Sequence, residues 1–134
     1  MGVFYVPIKV RNWQNRFLPP ARRGEEVSCN AVVDSGAAEL ALPADLIERL
    51  KLADLGMVHV FTADAGEHDY RLFGIAEVEV QGRVCHVRVI ELPRGARPLL
   101  GAAPLEAMDW HIAAQEKRLV PNPVSPERAF LPLC

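Results

Sequence analysis

Apolar and polar residues alternate along several short stretches bounded by turn-forming residues, which is the pattern of half-buried β-strands. Five runs carry it, at 3–10, 27–33, 57–63, 70–80 and 84–92. The clearest is Ile75-Ala76-Glu77-Val78-Glu79-Val80, with Glu77 and Glu79 on one face and Ile75, Val78 and Val80 mostly off it. Gln81-Gly82-Arg83 then reads as a tight connection to Val84-Cys85-His86-Val87-Arg88-Val89, so the two runs predict a hairpin.

Helical spacing is confined to two short segments. Pro43 opens the first, which runs to Leu50 and places Leu46, Ile47 and Leu50 on one stripe. The second, 102–108, is rich in Ala and Leu and begins just after Gly101. Further on, 112–114 and 119–120 flank Gln115-Glu116-Lys117-Arg118, a predicted small hairpin. The tail from about 121 to 134 carries Pro121, Pro123, Pro126 and Pro132 and resists regular structure. The pattern predicts an all-β fold with two short helices in one domain, 1–134, closed into a barrel or sandwich.

Composition narrows this picture. A chain of 134 residues, 50% apolar, supports one hydrophobic core without disulfides or metals. Fifteen basic against seventeen acidic residues leave a net charge of −2, which does not point to nucleic-acid or anionic-membrane partners. Lys9, Arg11, Arg16, Arg22 and Arg23 occur with no acidic residue before Glu25. They are expected on a solvated loop, with an acidic partner surface as the alternative. The apolar runs are too short for a membrane helix, and Met1 to Val10 lacks signal-peptide character, so a cytoplasmic location is expected. Cys29, Cys85 and Cys134 fit neither a disulfide framework nor a zinc pattern, and small core thiols are expected at Cys29 and Cys85. His59, His68, His86 and His111 are scattered, so no metal or cofactor is expected.

Chemistry concentrates in Ala31-Val32-Val33-Asp34-Ser35-Gly36-Ala37-Ala38-Glu39-Leu40-Ala41-Leu42-Pro43. Three apolar residues precede Asp34, which predicts a carboxylate near the core, where an unpaired charge is costly. Ser35 can supply a hydroxyl, and Gly36 lets the backbone turn tightly and bring its N–H to the carboxylate. The plain alternative is an Asx turn closing a strand. Nothing here forms a Gly-x-Ser-x-Gly nucleophile elbow.

An apolar pair, Val32-Val33, followed by Asp34-Ser35-Gly36-Ala37 and then Leu40-Ala41-Leu42-Pro43, resembles the signature of the retropepsin-like aspartic proteases, in particular the short single-domain cellular and bacterial relatives of retroviral proteases. Some 65 residues downstream, Pro98-Leu99-Leu100-Gly101-Ala102-Ala103-Pro104-Leu105-Glu106 is similar to that family's second signature, a strand ending in glycine that threads beside the aspartate loop. Between them, the polar tip Thr62-Ala63-Asp64-Ala65-Gly66 between two strand-like arms looks like the family's flap. Asp64-Ala65-Gly66 lacks a hydroxyl residue and is not read as a second active-site motif. Ser35 stands where Thr is commoner, keeping the hydroxyl and losing a methyl.

The resemblance implies a closed β-barrel lobe with a flap hairpin and two short helices, forming half of a symmetric two-lobe enzyme. It implies an aspartic endopeptidase acting on peptide or protein substrates without a cofactor. Asp34 would be catalytic; Ser35, Gly36 and Ala37 would shape the active-site loop; Ala63, Asp64, Ala65 and Gly66 would form the flap; and Leu99, Leu100 and Gly101 would support the site. Such chemistry needs two carboxylates, and the chain has one Asp-Ser-Gly, so a two-fold homodimer is expected to supply the pair. The alternative is a dimeric peptide-binding or scaffold module with the same fold and no turnover.

Overall fold

The computed structural model describes residues 3–61 and 66–131. In chain order the strands are β1 (Tyr5–Asn12), β2 (Val27–Val33), β3 (Leu40–Pro43), β4 (Ala53–Phe61), β5 (Glu67–Val80), β6 (Arg83–Leu92), β7 (Leu99–Leu100), β8 (Trp110–Ala113) and β9 (Arg118–Pro121). Helix α1 (Ala44–Leu50) follows β3, and α2 (Ala102–Ala107) follows β7. Two short 3-10 turns, Trp13–Phe17 and Pro20–Arg22, fill the β1–β2 connection.

Alternation drives closure. Val6, Ile8 and Val10 of β1, Val27, Ala31 and Val33 of β2, Ala76, Val78 and Val80 of β5, and Cys85, Val87 and Val89 of β6 all point into one core. The sheet order runs β1-β2-β7-β3-β6-β5, and β5 pairs back onto β1 through Lys9↔Glu79 to Asn12↔Ala76, closing a six-stranded barrel. The fold is therefore mostly β, as the sequence pattern predicts. β4 pairs with β5 outside the closed ring, extending it as a two-stranded ribbon. β8 and β9 form a separate hairpin, as the 112–120 pattern predicts.

The β5–β6 connection is the two-residue turn Gln81-Gly82, with positive φ at both positions (50° and 88°). Positive φ at both central residues matches the right-handed twist of the flanking strands, and glycine adopts it without a Cβ penalty. On α1, Ile47 and Leu50 are buried and Leu46 packs against the core, so the sequence stripe faces inward. Unlike the alternating strands, β3, which lies between β7 and β6 in the barrel wall, is buried at all four positions.

The basic stretch is largely the solvated segment that its charge suggests: Lys9, Arg16, Arg22 and Arg23 are exposed, and the last three lie in the β1–β2 connection. Arg11 lies on β1, and its guanidinium donates to Glu77 (2.9 Å), Glu79 (3.2 Å) and Glu26 (3.3 Å). Arg16 reaches Glu77 at 3.2 Å, and Arg23 donates to the backbone carbonyls of Asn15 and Leu18. Hydrogen bonds from His86 and Arg11 hold the Glu77 carboxyl below its ordinary value. Arg11 and Arg16 thus meet carboxylates of the same chain, Glu77 and Glu79 of β5 and, for Arg11, Glu26.

Candidate active site

The barrel brings the two sequence signatures together through the shortest strand. Two-residue β7 is wedged between β2 and β3, parallel to β2 (Val32↔Leu99, Val33↔Leu100) and antiparallel to β3 (Leu40↔Leu100, Ala41↔Leu99). This topology puts the end of β2, the start of β3 and the end of β7 at the same edge of the barrel. Asp34, Glu39 and Gly101 are the residues that leave or enter those strands. Leu100 and Leu40 are fully buried beneath them and fix the depth of the junction.

Backbone bonds lock the aspartate loop to this wedge. The Asp34 N–H donates to the Leu100 carbonyl (3.1 Å), and the Ala37 N–H returns to the Asp34 carbonyl (3.1 Å), closing a tight turn over Asp34–Ala37. The first residues of α2 then bind the loop from the other side, with Ala102 N–H on the Ala37 carbonyl (2.7 Å) and Ala103 N–H on the Ala38 carbonyl (2.8 Å). Gly101 makes this approach possible, since a Cβ there would lie 2.4 Å from the Glu39 carbonyl oxygen and 2.6 Å from that of Ala37. A side chain has no space between two backbones at that distance.

The Asp34 carboxylate itself accepts the Gly36 N–H at 2.9 Å through Oδ1. That bond is the one the Asp-Ser-Gly order predicts. Two other expectations are corrected. Asp34 is exposed in the single chain, because β2 ends at Val33 and the backbone turns outward. Burial therefore does not force the carboxylate to find a partner. Ser35 is also exposed, and its hydroxyl makes no hydrogen bond to another described residue, so Gly36 alone steadies the carboxylate. Glu39 is held by an ion pair with Arg88 of β6, which ties the loop exit to the barrel wall.

The β4–β5 ribbon carries the predicted tip at its outer end. Ala63, Asp64 and Ala65 lie outside the described residues, and Gly66 immediately precedes β5. Along the ribbon, Val58, Val60 and Tyr70 are half-buried on one face, while Met57, His59 and Phe61 are exposed on the other. Asp54 accepts the Gly56 N–H (2.8 Å) and the Arg71 guanidinium (2.8 Å) at the ribbon's base, where the register shifts.

Sequence reasoning passed over Asp109, whose partners lie in the tail. Its carboxylate accepts bonds from Ser125 Oγ (2.5 Å), Asn122 Nδ2 (3.0 Å) and the Phe130 N–H (3.1 Å), and these bonds hold its pKa down to about 2. Arg83 donates to the carbonyls of Met108 and Asp109 and lies over the Trp110 ring, 4.4 Å from its centroid. The stretch after β9 thus has no strand or helix among the described residues, yet it is fastened at defined points. The only signal in the sequence was an acid just after an Ala/Leu-rich helix, with no partner nearby.

Both described cysteines are free thiols. Cys85 is buried, and desolvation pushes its pKa up to about 12; Cys29 is half-buried and shifted the same way. Among the described residues, no group of three or more His, Cys, Asp or Glu side chains is placed to hold a metal ion. No helix among them is long and apolar enough to cross a membrane. No protein-family model matches the chain, and no curated protein matches it.

Proposed function

We propose that the protein is a homodimeric aspartic endopeptidase of the retropepsin-like kind, with Asp34 of each copy contributing one carboxylate to a shared site. The observation that carries this reading is the wedge at the barrel edge. There an exposed Asp34, held by the Gly36 N–H, is bolted to the Leu99-Leu100-Gly101 segment by backbone bonds. An isolated Asx turn would account for the Gly36 bond but not for the insertion of β7 beside it.

In this reading two carboxylates about 3 Å apart cannot both ionise, so the pair shares one proton and titrates as a unit. The ionised member takes a proton from a water held between them as that water attacks the peptide carbonyl. The protonated member donates to the carbonyl oxygen, giving a neutral gem-diol. The newly protonated carboxyl then gives its proton to the amide nitrogen as the C–N bond breaks, and a gem-diol hydroxyl returns its proton to the other carboxylate, so hydrolysis needs no acyl-enzyme. A Gly36 N–H bond steadies each carboxylate, and the β4–β5 ribbon serves as the flap over an extended peptide.

Purified protein is expected to cleave a denatured protein or peptide library at mildly acidic pH, and Asp34→Asn is expected to abolish cleavage while leaving the fold intact. Cleavage that survives Asp34→Asn would overturn the assignment. Peptide binding without cleavage in the wild type, retained in Asp34→Asn, would support the scaffold module instead.

A further inference from the structure

The outer end of the β4–β5 ribbon carries a cluster that the hydrolytic reading does not use. His59 sits opposite Asp69 in the cross-strand register, two residues before β4 ends. Its Nδ1 lies 2.5 Å from Asp69 Oδ1, and its Nε2 lies 3.5 Å from Glu67 Oε2. The imidazole is thus placed between two carboxylates that share one face of β5, and Phe61 packs edge-on against it at 5.7 Å. Among the described residues β4 pairs with β5 alone, so these side-chain contacts add to the β4–β5 ladder at its last residue pairs, His59↔Asp69 and Phe61↔Glu67.

We propose that His59, Glu67 and Asp69 form a proton-operated clasp that stiffens the outer end of the ribbon. Ionised carboxylates only accept hydrogen bonds, so a ring nitrogen facing one must donate. A neutral imidazole has one N–H and can serve only one carboxylate, whereas the imidazolium donates from both nitrogens and bridges the pair. When the proton leaves, Glu67 and Asp69 are left as like charges on one face with a single donor between them, and the end of the ribbon loosens.

Among the described residues, the other charged or imidazole groups near this cluster on β5 are Arg71 and His68. Arg71, next along the same face of β5, is engaged by Asp54, and His68 lies on the opposite face of the strand. Asp69, by hydrogen bond and charge, and Glu67 both raise the His59 pKa above its ordinary 6.5. A raised folded-state value means that the clasp is fully present below the unfolded pKa and is lost as pH rises through the folded one. Under the hydrolytic reading, on which this functional consequence rests, the ribbon covers the substrate, and the clasp adds an alkaline limb to activity that is independent of the Asp34 pair.

The test separates the two ideas because its main readout needs no cleavage. NMR titration of the full chain is expected to place the His59 pKa above 6.5. Amide exchange, corrected for intrinsic rates, is expected to lose protection at 59–61 and 67–69 by at least about threefold as pH rises from about 5.5 to about 8.5. In His59→Gln that pH dependence should vanish, and Asp69→Asn should bring the His59 titration back towards its ordinary value. A His59 pKa at or below 6.5, pH-independent protection in the wild type, or an unchanged pH dependence in His59→Gln would overturn the clasp. Absence of proteolysis with a working clasp would instead count against the hydrolytic reading alone.

Discussion

Replacing Gly101 with alanine tests the junction on which the candidate site is built. The added Cβ would stand 2.4 Å from the Glu39 carbonyl oxygen and 2.6 Å from that of Ala37, both backbone atoms that no rotamer change can move aside. Overpacking of this kind costs about 1–3 kcal/mol, and a clash between backbones falls at the upper end. Relief would require α2 to move away from the aspartate loop, stretching the Ala102–Ala37 and Ala103–Ala38 hydrogen bonds, each worth about 1 kcal/mol. The expected destabilisation is therefore roughly 3–5 kcal/mol. Gly36→Ala is the control, since its Cβ would meet only Asp34 Oδ1, at 3.2 Å. Its expected effect on stability is below about 1 kcal/mol, although it presses on the carboxylate. Both are read by urea unfolding at one fixed protein concentration, followed by Trp fluorescence. A Gly101→Ala protein within about 1 kcal/mol of wild type would refute the close backbone approach, and with it the wedge.

Asp109 sets an acid limit on the fastening of the tail. Its pKa is held down to about 2 against an ordinary 3.8, so its stabilisation is complete above the ordinary value and is lost as pH falls towards 2. Exchange protection of the 122–130 backbone should fall over that window in the wild type, and Asp109→Asn should show the loosened tail at neutral pH with no such acid limb. Cys85, buried and with its pKa pushed up to about 12, should react with a thiol reagent at neutral pH only at the rate of unfolding. Faster labelling in the native protein, measured by mass spectrometry, would show that the β6 thiol is not in the core.

Much of the fold was legible because it follows local rules. Alternation at 76–80 and 84–89 and the Gln81-Gly82 turn define the β5–β6 hairpin without any long-range information. β3 was seen only as an apolar run after the motif, since a strand buried on every side does not alternate. The start of β4 at Ala53 was missed because the register shift between Asp54 and Gly56 breaks the period of two. The Arg11 network could not be read from the basic stretch, since its partners Glu77 and Glu79 arrive only when β5 closes the barrel onto β1.

The candidate site divides in the same way. The Gly36 bond to Asp34 is local and follows from the Asp-Ser-Gly order. The exposure of Asp34 does not, because apolar neighbours before it say nothing of where the chain turns after Val33. The Asp109 anchor and the His59 clasp were not legible at all. Each depends on partners supplied by another segment, 13 or more residues away for Asp109 and across a hairpin for His59.

The central claim is that two copies of Asp34 make one catalytic site, and mixing experiments address it most directly. Wild-type and Asp34→Asn chains, allowed to exchange subunits at constant total concentration, should show activity that falls with the square of the wild-type fraction. An equal mixture should retain about one quarter of the wild-type rate, because only dimers with both carboxylates cleave. A linear fall, with half the rate left in the equal mixture, would mean that each chain acts alone and would contradict the account.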